Sequence, residues 1–185
     1  MSTQNVIMIY VAAFLAVFGQ ATLPGLREWL GAQVDLLPAL MVFTAMYASL
    51  VNVAFLAVLG GLWLDTLSAN PLGISIVPLL AVGLPFHMRR DLILRNLPFA
   101  QLMLGAAASA AAPALTLLLL LNGGKEPLLG WGTLWQWLVM TAGGAVATPF
   151  IFALFDWCGR ALGYQPQTEM GFRPDREIRH GRILR

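Results

Sequence analysis

The sequence predicts an all-α, polytopic membrane protein of about six transmembrane helices, and three observations carry that expectation. Of its 185 residues, 58% are hydrophobic before the 18 glycines are counted, against roughly 45 to 50% apolar with glycine included in soluble domains. Charged residues make up 11%, against about 25% in an average chain. With a mean hydropathy of +0.74, too little polar surface is left to coat a water-facing globule, and intrinsic disorder is excluded. The apolar residues also gather in long runs, and at roughly 20 residues per crossing of the hydrocarbon core six helices fit the length with room for loops.

The first run, Val6 to Leu23, is interrupted only by Gln20. No Lys or Arg precedes it, as one would in a secretory signal, so a retained helix is expected. The stretch from Gly31 to Ala69 is longer than one span: as continuous helix it would reach about 58 Å, against a core of roughly 30 Å. It is therefore divided near Ser49 to Asn52, into helices over Gly31 to Leu50 and Val51 to Ala69, although no Gly or Pro marks a turn there. Only length favours the division. Three further runs, Leu72 to Met88, Leu97 to Leu121 and Leu134 to Phe155, contain Pro78, Pro85, Pro113 and Pro149. Such prolines kink membrane helices, and the carbonyls they free find partners on neighbouring helices. Gly105 and Ser109, and Gly143, Gly144 and Ala147, offer small side chains for close helix approach. Trp29, Trp131, Trp135 and Trp157 fall near span ends, where their rings favour the headgroup region.

Cytoplasmic loops collect Lys and Arg. With six spans, nine of the 11 basic residues, including Arg89, Arg90, Arg95 and Arg160, fall on the N-terminal side, and only Arg27 and Lys125 on the other. Both termini are thus expected in the cytoplasm. A five-span chain satisfies the same rule with the N-terminus outside. Residues 1–163 form the membrane domain of this reading. Residues 164–185 form a basic tail with Arg173, Arg176, Arg179, Arg182 and Arg185 at steps of three, suited to anionic headgroups or to enforcing topology alone.

Few side chains carry chemistry. Asp65 closes the run from Gly60 through Leu64 and is followed by the turn signal Asn70, Pro71, Leu72, Gly73. An ionisable group at the rim of a membrane helix is a functional candidate. Asp35 opens the preceding helix, so both carboxylates are expected at the outer, non-cytoplasmic level, either sharing a polar pocket or simply capping helix ends. His87 beside Arg89 and Arg90 suits a helix C-terminus, and His180 and Cys158 stand without neighbours that would make a site. One cysteine excludes a disulfide framework or a cysteine-built metal site. The sequence contains no GxSxG elbow, Walker loop or HExxH pair. No cofactor, no catalysis and no nucleic-acid partner are expected.

The stretch from Asp35, Leu36, Leu37, Pro38 through Gly60, Gly61, Asp65, Pro71, Leu72 and Gly73 resembles the rod shape-determining protein MreD family over roughly residues 35 to 95. The resemblance implies a non-enzymatic inner-membrane scaffold of the bacterial cell-wall elongation machinery that regulates cell shape. Its partners would be an MreC-like protein and, through it, MreB filaments, RodA and a penicillin-binding transpeptidase. It carries over Gly61, Asp65, Pro71 and Gly73 as positions of structural or partner-contact importance. An outer groove between the second, third and fourth helices is expected to receive a partner's single transmembrane helix or juxtamembrane segment, with Asp65 either a polar anchor for the partner or a lock on the Asn70 to Gly73 turn. The arginine-rich tail is longer than the family pattern. The family also looks like the substrate-binding subunits of energy-coupling-factor vitamin transporters, which have six helices and an outward pocket. A rival reading follows, in which Asp35, Asp65 and Asn70 line a small-ligand site.

Overall fold

The structure, a computed structural model, describes residues 3–22, 31–68, 70–91, 97–124 and 130–161. The expectations placed on Arg27, Trp29, Arg95, Lys125 and the tail from residue 164 lie outside them. Six helices and no strands are found among the described residues: α1 Thr3–Thr22, α2 Leu37–Tyr47, α3 Leu50–Thr66, α4 Ile76–Met88, α5 Pro98–Asn122 and α6 Trp131–Ala161. Two of these, α5 and α6, are long and apolar enough to cross a membrane.

The helices alternate in direction, which gives the bundle two distinct ends. One carries Asp35, Asp65 and Gly130, and is called the turn end. The other carries the C-termini of α2 and α4, with His87 and Arg90, and is called the arginine end.

The break inside the Gly31 to Ala69 stretch falls at Ala48 and Ser49, starting one residue ahead of the expected interval and overlapping it at Ser49. Both residues are extended, and the Ser49 side chain makes no capping bond. The caps come from elsewhere. Near the C-terminus of α2, the Ala45 carbonyl lies 3.1 Å from His87 Nδ1 and the Ala48 carbonyl accepts a bond from Arg90 at 3.4 Å. The last carbonyls of a helix have no partner within it, and the Arg90 cation also complements the negative end of its dipole. The residues expected to serve the end of α4 thus serve the end of α2.

The axis of the bundle is α2. Every residue from Leu37 to Met46 is buried, and α2 packs against all five other helices. At 11 residues it is about 16 Å long, well short of the Gly31 to Leu50 helix the sequence suggests. Residues 31–36 are not helical because side chains from two helices take their backbone bonds. Gln136 of α6 donates to the Gln33 carbonyl at 2.8 Å and accepts the Gln33 N–H at 3.1 Å. With its amide oxygen turned toward the chain, Gln20 of α1 accepts the Leu36 N–H at 2.8 Å and donates to the Val34 carbonyl at 3.3 Å. Backbone outside the helical ladder is tolerated inside a bundle when side chains satisfy it in this way.

Aromatic and small residues seal the remaining contacts. Trp63 of α3 meets Phe14 and Phe18 of α1 edge-on, and Phe43 of α2 stacks on Phe155 of α6 at 4.2 Å. Between α5 and α6 the small residues do what their spacing suggests: a Cβ on Gly105 would collide with Thr148 and the Gly144 carbonyl, and one on Gly144 with Ser109. Pro113 and Pro149 lie inside their helices, whereas Pro78 occupies the first turn of α4, where it costs no helical bond. Next to the carbonyl that Pro113 releases, Trp137 donates to the Ala110 carbonyl at 2.9 Å.

Candidate functional site

Gly61, Asp65, Pro71 and Gly73 come together in one joint where α3 hands over to α4. Asp65 is 2% exposed, and both carboxylate oxygens are engaged. Oδ2 accepts the Gly73 N–H at 2.7 Å and the Ser75 N–H at 3.2 Å, and Oδ1 accepts the Ser75 hydroxyl at 2.5 Å. A buried charge is tolerated when hydrogen bonds surround it, and here three donors do so. The turn between needs Gly73 at φ +89°, a conformation that L side chains rarely adopt. The Pro71 carbonyl closes it by accepting the Ile74 N–H at 3.3 Å. Gly61 completes the joint, because a Cβ there would stand 3.0 Å from the Ile76 backbone nitrogen.

This joint locks a turn and leaves Asp65 no free oxygen for a ligand. What it presents outward is apolar. Leu72, at its tip, is 70% exposed, and Leu67 and Val77 flank it at 46% and 55%.

Asp35 and Asp65 do not share a pocket. Asp65 faces the turn, while Asp35 lines a cavity of about 700 Å³, within the roughly 300 to 1,000 Å³ span of small-ligand sites. The cavity lies at the turn end between α4, α5 and α6, with Leu64 of α3 and Asp35 ahead of α2 also in its lining. α2 itself is buried along its length by the other five helices. Polar groups at the cavity are Asp35, Asn70, Ser75, Thr116, Thr133, Gln136 and the Trp137 indole, and its wall includes Leu79, Ala112, Leu117, Leu120 and Met140.

Asp35 stands two residues ahead of α2, outside the helices. It is 9% exposed, and its Oδ1 accepts the Leu37 N–H at 2.9 Å. Of the groups weighed for this end, Asp35 and Asn70 meet at the cavity and Asp65 stays behind it, bonded to the lining residue Ser75.

Gln20 and Gln136 were not singled out by the sequence reading. Their signal was an amide interrupting one apolar run and an amide opening another, but their partners lie far along the chain. Among the described residues no group of three or more His, Cys, Asp or Glu side chains comes together.

Compared with protein-family models, curated proteins and solved structures, the chain matches none.

Proposed function

We propose that this chain is a non-enzymatic, multi-pass scaffold of the bacterial inner membrane, resembling MreD, which binds MreC-like partners of the cell-wall elongation machinery and so helps to regulate cell shape. The observation that carries the reading is the Asp65 joint: a buried carboxylate holds a turn whose outward side chain, Leu72, is apolar and open. Such a fixed apolar knob suits a partner's juxtamembrane segment.

Membrane embedding is supported by the exterior. Large apolar side chains stand exposed on several sides of the bundle, among them Leu15, Phe55, Phe99 and Phe150, far beyond the patches that soluble monomers expose. On α6, Trp135 and Trp157 are exposed near the two ends. Their 22-residue separation is about 33 Å along a helix, close to the roughly 30 Å core that interfacial tryptophans bracket. Six spans with both termini cytoplasmic put the arginine end inside and Leu72 outside. In a Cys158→Ser background, Ser49→Cys is expected to react with an impermeant maleimide only after the membrane is opened, and Leu72→Cys in intact cells. The reverse pattern would invert the topology.

Partner binding is tested by mild-detergent affinity purification of the tagged protein with mass spectrometry of what stays bound. An MreC-like protein with cell-wall synthases is the expected recovery. Leu72→Glu, at an exposed site outside the core, is expected to cut that recovery at least about fivefold, as loss of a central apolar contact does, at unchanged expression. Equal recovery would remove the turn from the interface.

The cavity favours a second reading, a substrate-binding subunit of an energy-coupling-factor type vitamin transporter. Its mark in the same purification would be a pair of ABC-type ATPases with a transmembrane coupling protein.

A further inference from the structure

The depth and polarity of the cavity point to a ligand class. On α5 the lining reaches from Leu120 back to Ala112, and Ala112 is ten residues from the end of the helix, about 15 Å at the helical rise. That is about half of a 30 Å hydrocarbon core, the thickness of one leaflet. On α6 the lining runs from Thr133 near the helix start to Met140. The deepest lining residues, Ala112 and Pro113 of α5 and Met140 of α6, are apolar. Thr116 adds a hydroxyl, already bonded to the Ala112 carbonyl at 3.0 Å. Asp35, Asn70, Ser75 and Gln136 gather toward the turn end. An apolar shaft one leaflet deep with a polar mouth is complementary to a hydrocarbon chain carrying a polar head.

Asp35 selects the head. It is buried, one oxygen is taken by the Leu37 amide, and no cationic side chain among the described residues pairs with it. A carboxylate withdrawn from water without a counter-ion is costly. An ammonium group would relieve that cost and a purely anionic head would add to it, while Asn70 offers an amide donor for phosphate or ester oxygens.

We infer that the cavity between α4, α5 and α6 holds one hydrocarbon chain of an amine-headed membrane lipid, a phosphatidylethanolamine, with its ammonium on the Asp35 carboxylate. The inference rests on the membrane reading above and not on the scaffold reading.

The test uses the full-length protein. Its recovery in the membrane fraction is checked first, so that failure of the membrane reading shows separately. Purified protein is then titrated with palmitoyl-oleoyl phosphatidylethanolamine or phosphatidylglycerol and read by native mass spectrometry. The first phosphatidylethanolamine adduct is expected to form at about tenfold lower lipid concentration than the phosphatidylglycerol adduct, the scale of one desolvated charge pair. Asp35→Asn should bring the two lipids to parity, and Leu117→Trp, which fills the shaft, should abolish the first adduct of both. If Asp35→Asn does not fold, the wild-type ranking and Leu117→Trp decide the matter without it. Equal binding of both lipids by the wild type, a phosphatidylethanolamine preference that survives Asp35→Asn, or an adduct that survives Leu117→Trp would each overturn the assignment. So would a water-soluble molecule displaced from the wild type in place of lipid, which would give the cavity to solute capture.

Discussion

Asp65→Ala is expected to destabilise the protein by about 3 to 5 kcal/mol, because it leaves three hydrogen-bond donors without their acceptor. The substitution strands the Gly73 and Ser75 amides and the Ser75 hydroxyl, all held by this one carboxylate. Each buried group left unpaired costs about 1 to 3 kcal/mol. Asp65→Asn should lose much less. Its amide oxygen can still accept both backbone N–H groups, as Oδ2 does now, and its NH2 can donate to Ser75 once that hydroxyl turns round. Thermal unfolding of the detergent-purified variants separates the two cases. If Asn is as damaging as Ala, the negative charge itself is needed at the joint. Because the turn carries Leu72, partner recovery is expected to fall in Asp65→Ala while insertion persists; full recovery at equal expression would divorce the joint from the interface.

The second large effect is expected at the seam between α5 and α6. Gly105→Ala places a methyl group against Thr148 and 2.7 Å from the Gly144 carbonyl. Because one of these neighbours is backbone, the helices must part, and overpacking of this kind costs about 1 to 3 kcal/mol. Gly105→Leu should abolish recovery of folded protein. Gly19→Ala is the contrast. Gly19 also lies in a helix, but nothing stands within 4 Å of its added Cβ. That variant should gain up to about 1 kcal/mol from the lower backbone entropy cost of alanine. Thermal unfolding measured side by side checks the opposite signs, and a neutral Gly105→Ala would mean that the seam is looser than its geometry.

Legibility in the sequence followed the range of the interactions involved. Helix class and number were readable because apolar runs are local, and the small-residue seam because its spacing repeats along two helices. The joint was half readable: Asp65, Pro71 and Gly73 lie within nine positions of one another, so a turn could be inferred, but not that Ser75 would take the second oxygen. The break at Ala48 carries no Gly or Pro because His87 and Arg90 provide its caps from 42 positions away. The division of the two carboxylates was hidden for the same kind of reason. Asp35 and Asp65 look alike as acids at helix ends, and only the folding of the turn onto Asp65 leaves Asp35 to face the cavity.

The capping of α2 by α4 also sets a timetable for biosynthesis. When the ribosome has just finished Ala45, its partner His87 is 42 residues away, about 2 to 8 s at ordinary elongation rates. Gln136 follows Gln33 by 103 residues, about 5 to 20 s. The innermost helix of the bundle is therefore among the first segments made and among the last to be consolidated. Through that interval its exposed backbone groups depend on water or on the insertion machinery. Pauses in translation downstream of α3 would lengthen the window in which the nascent chain is vulnerable to proteolysis.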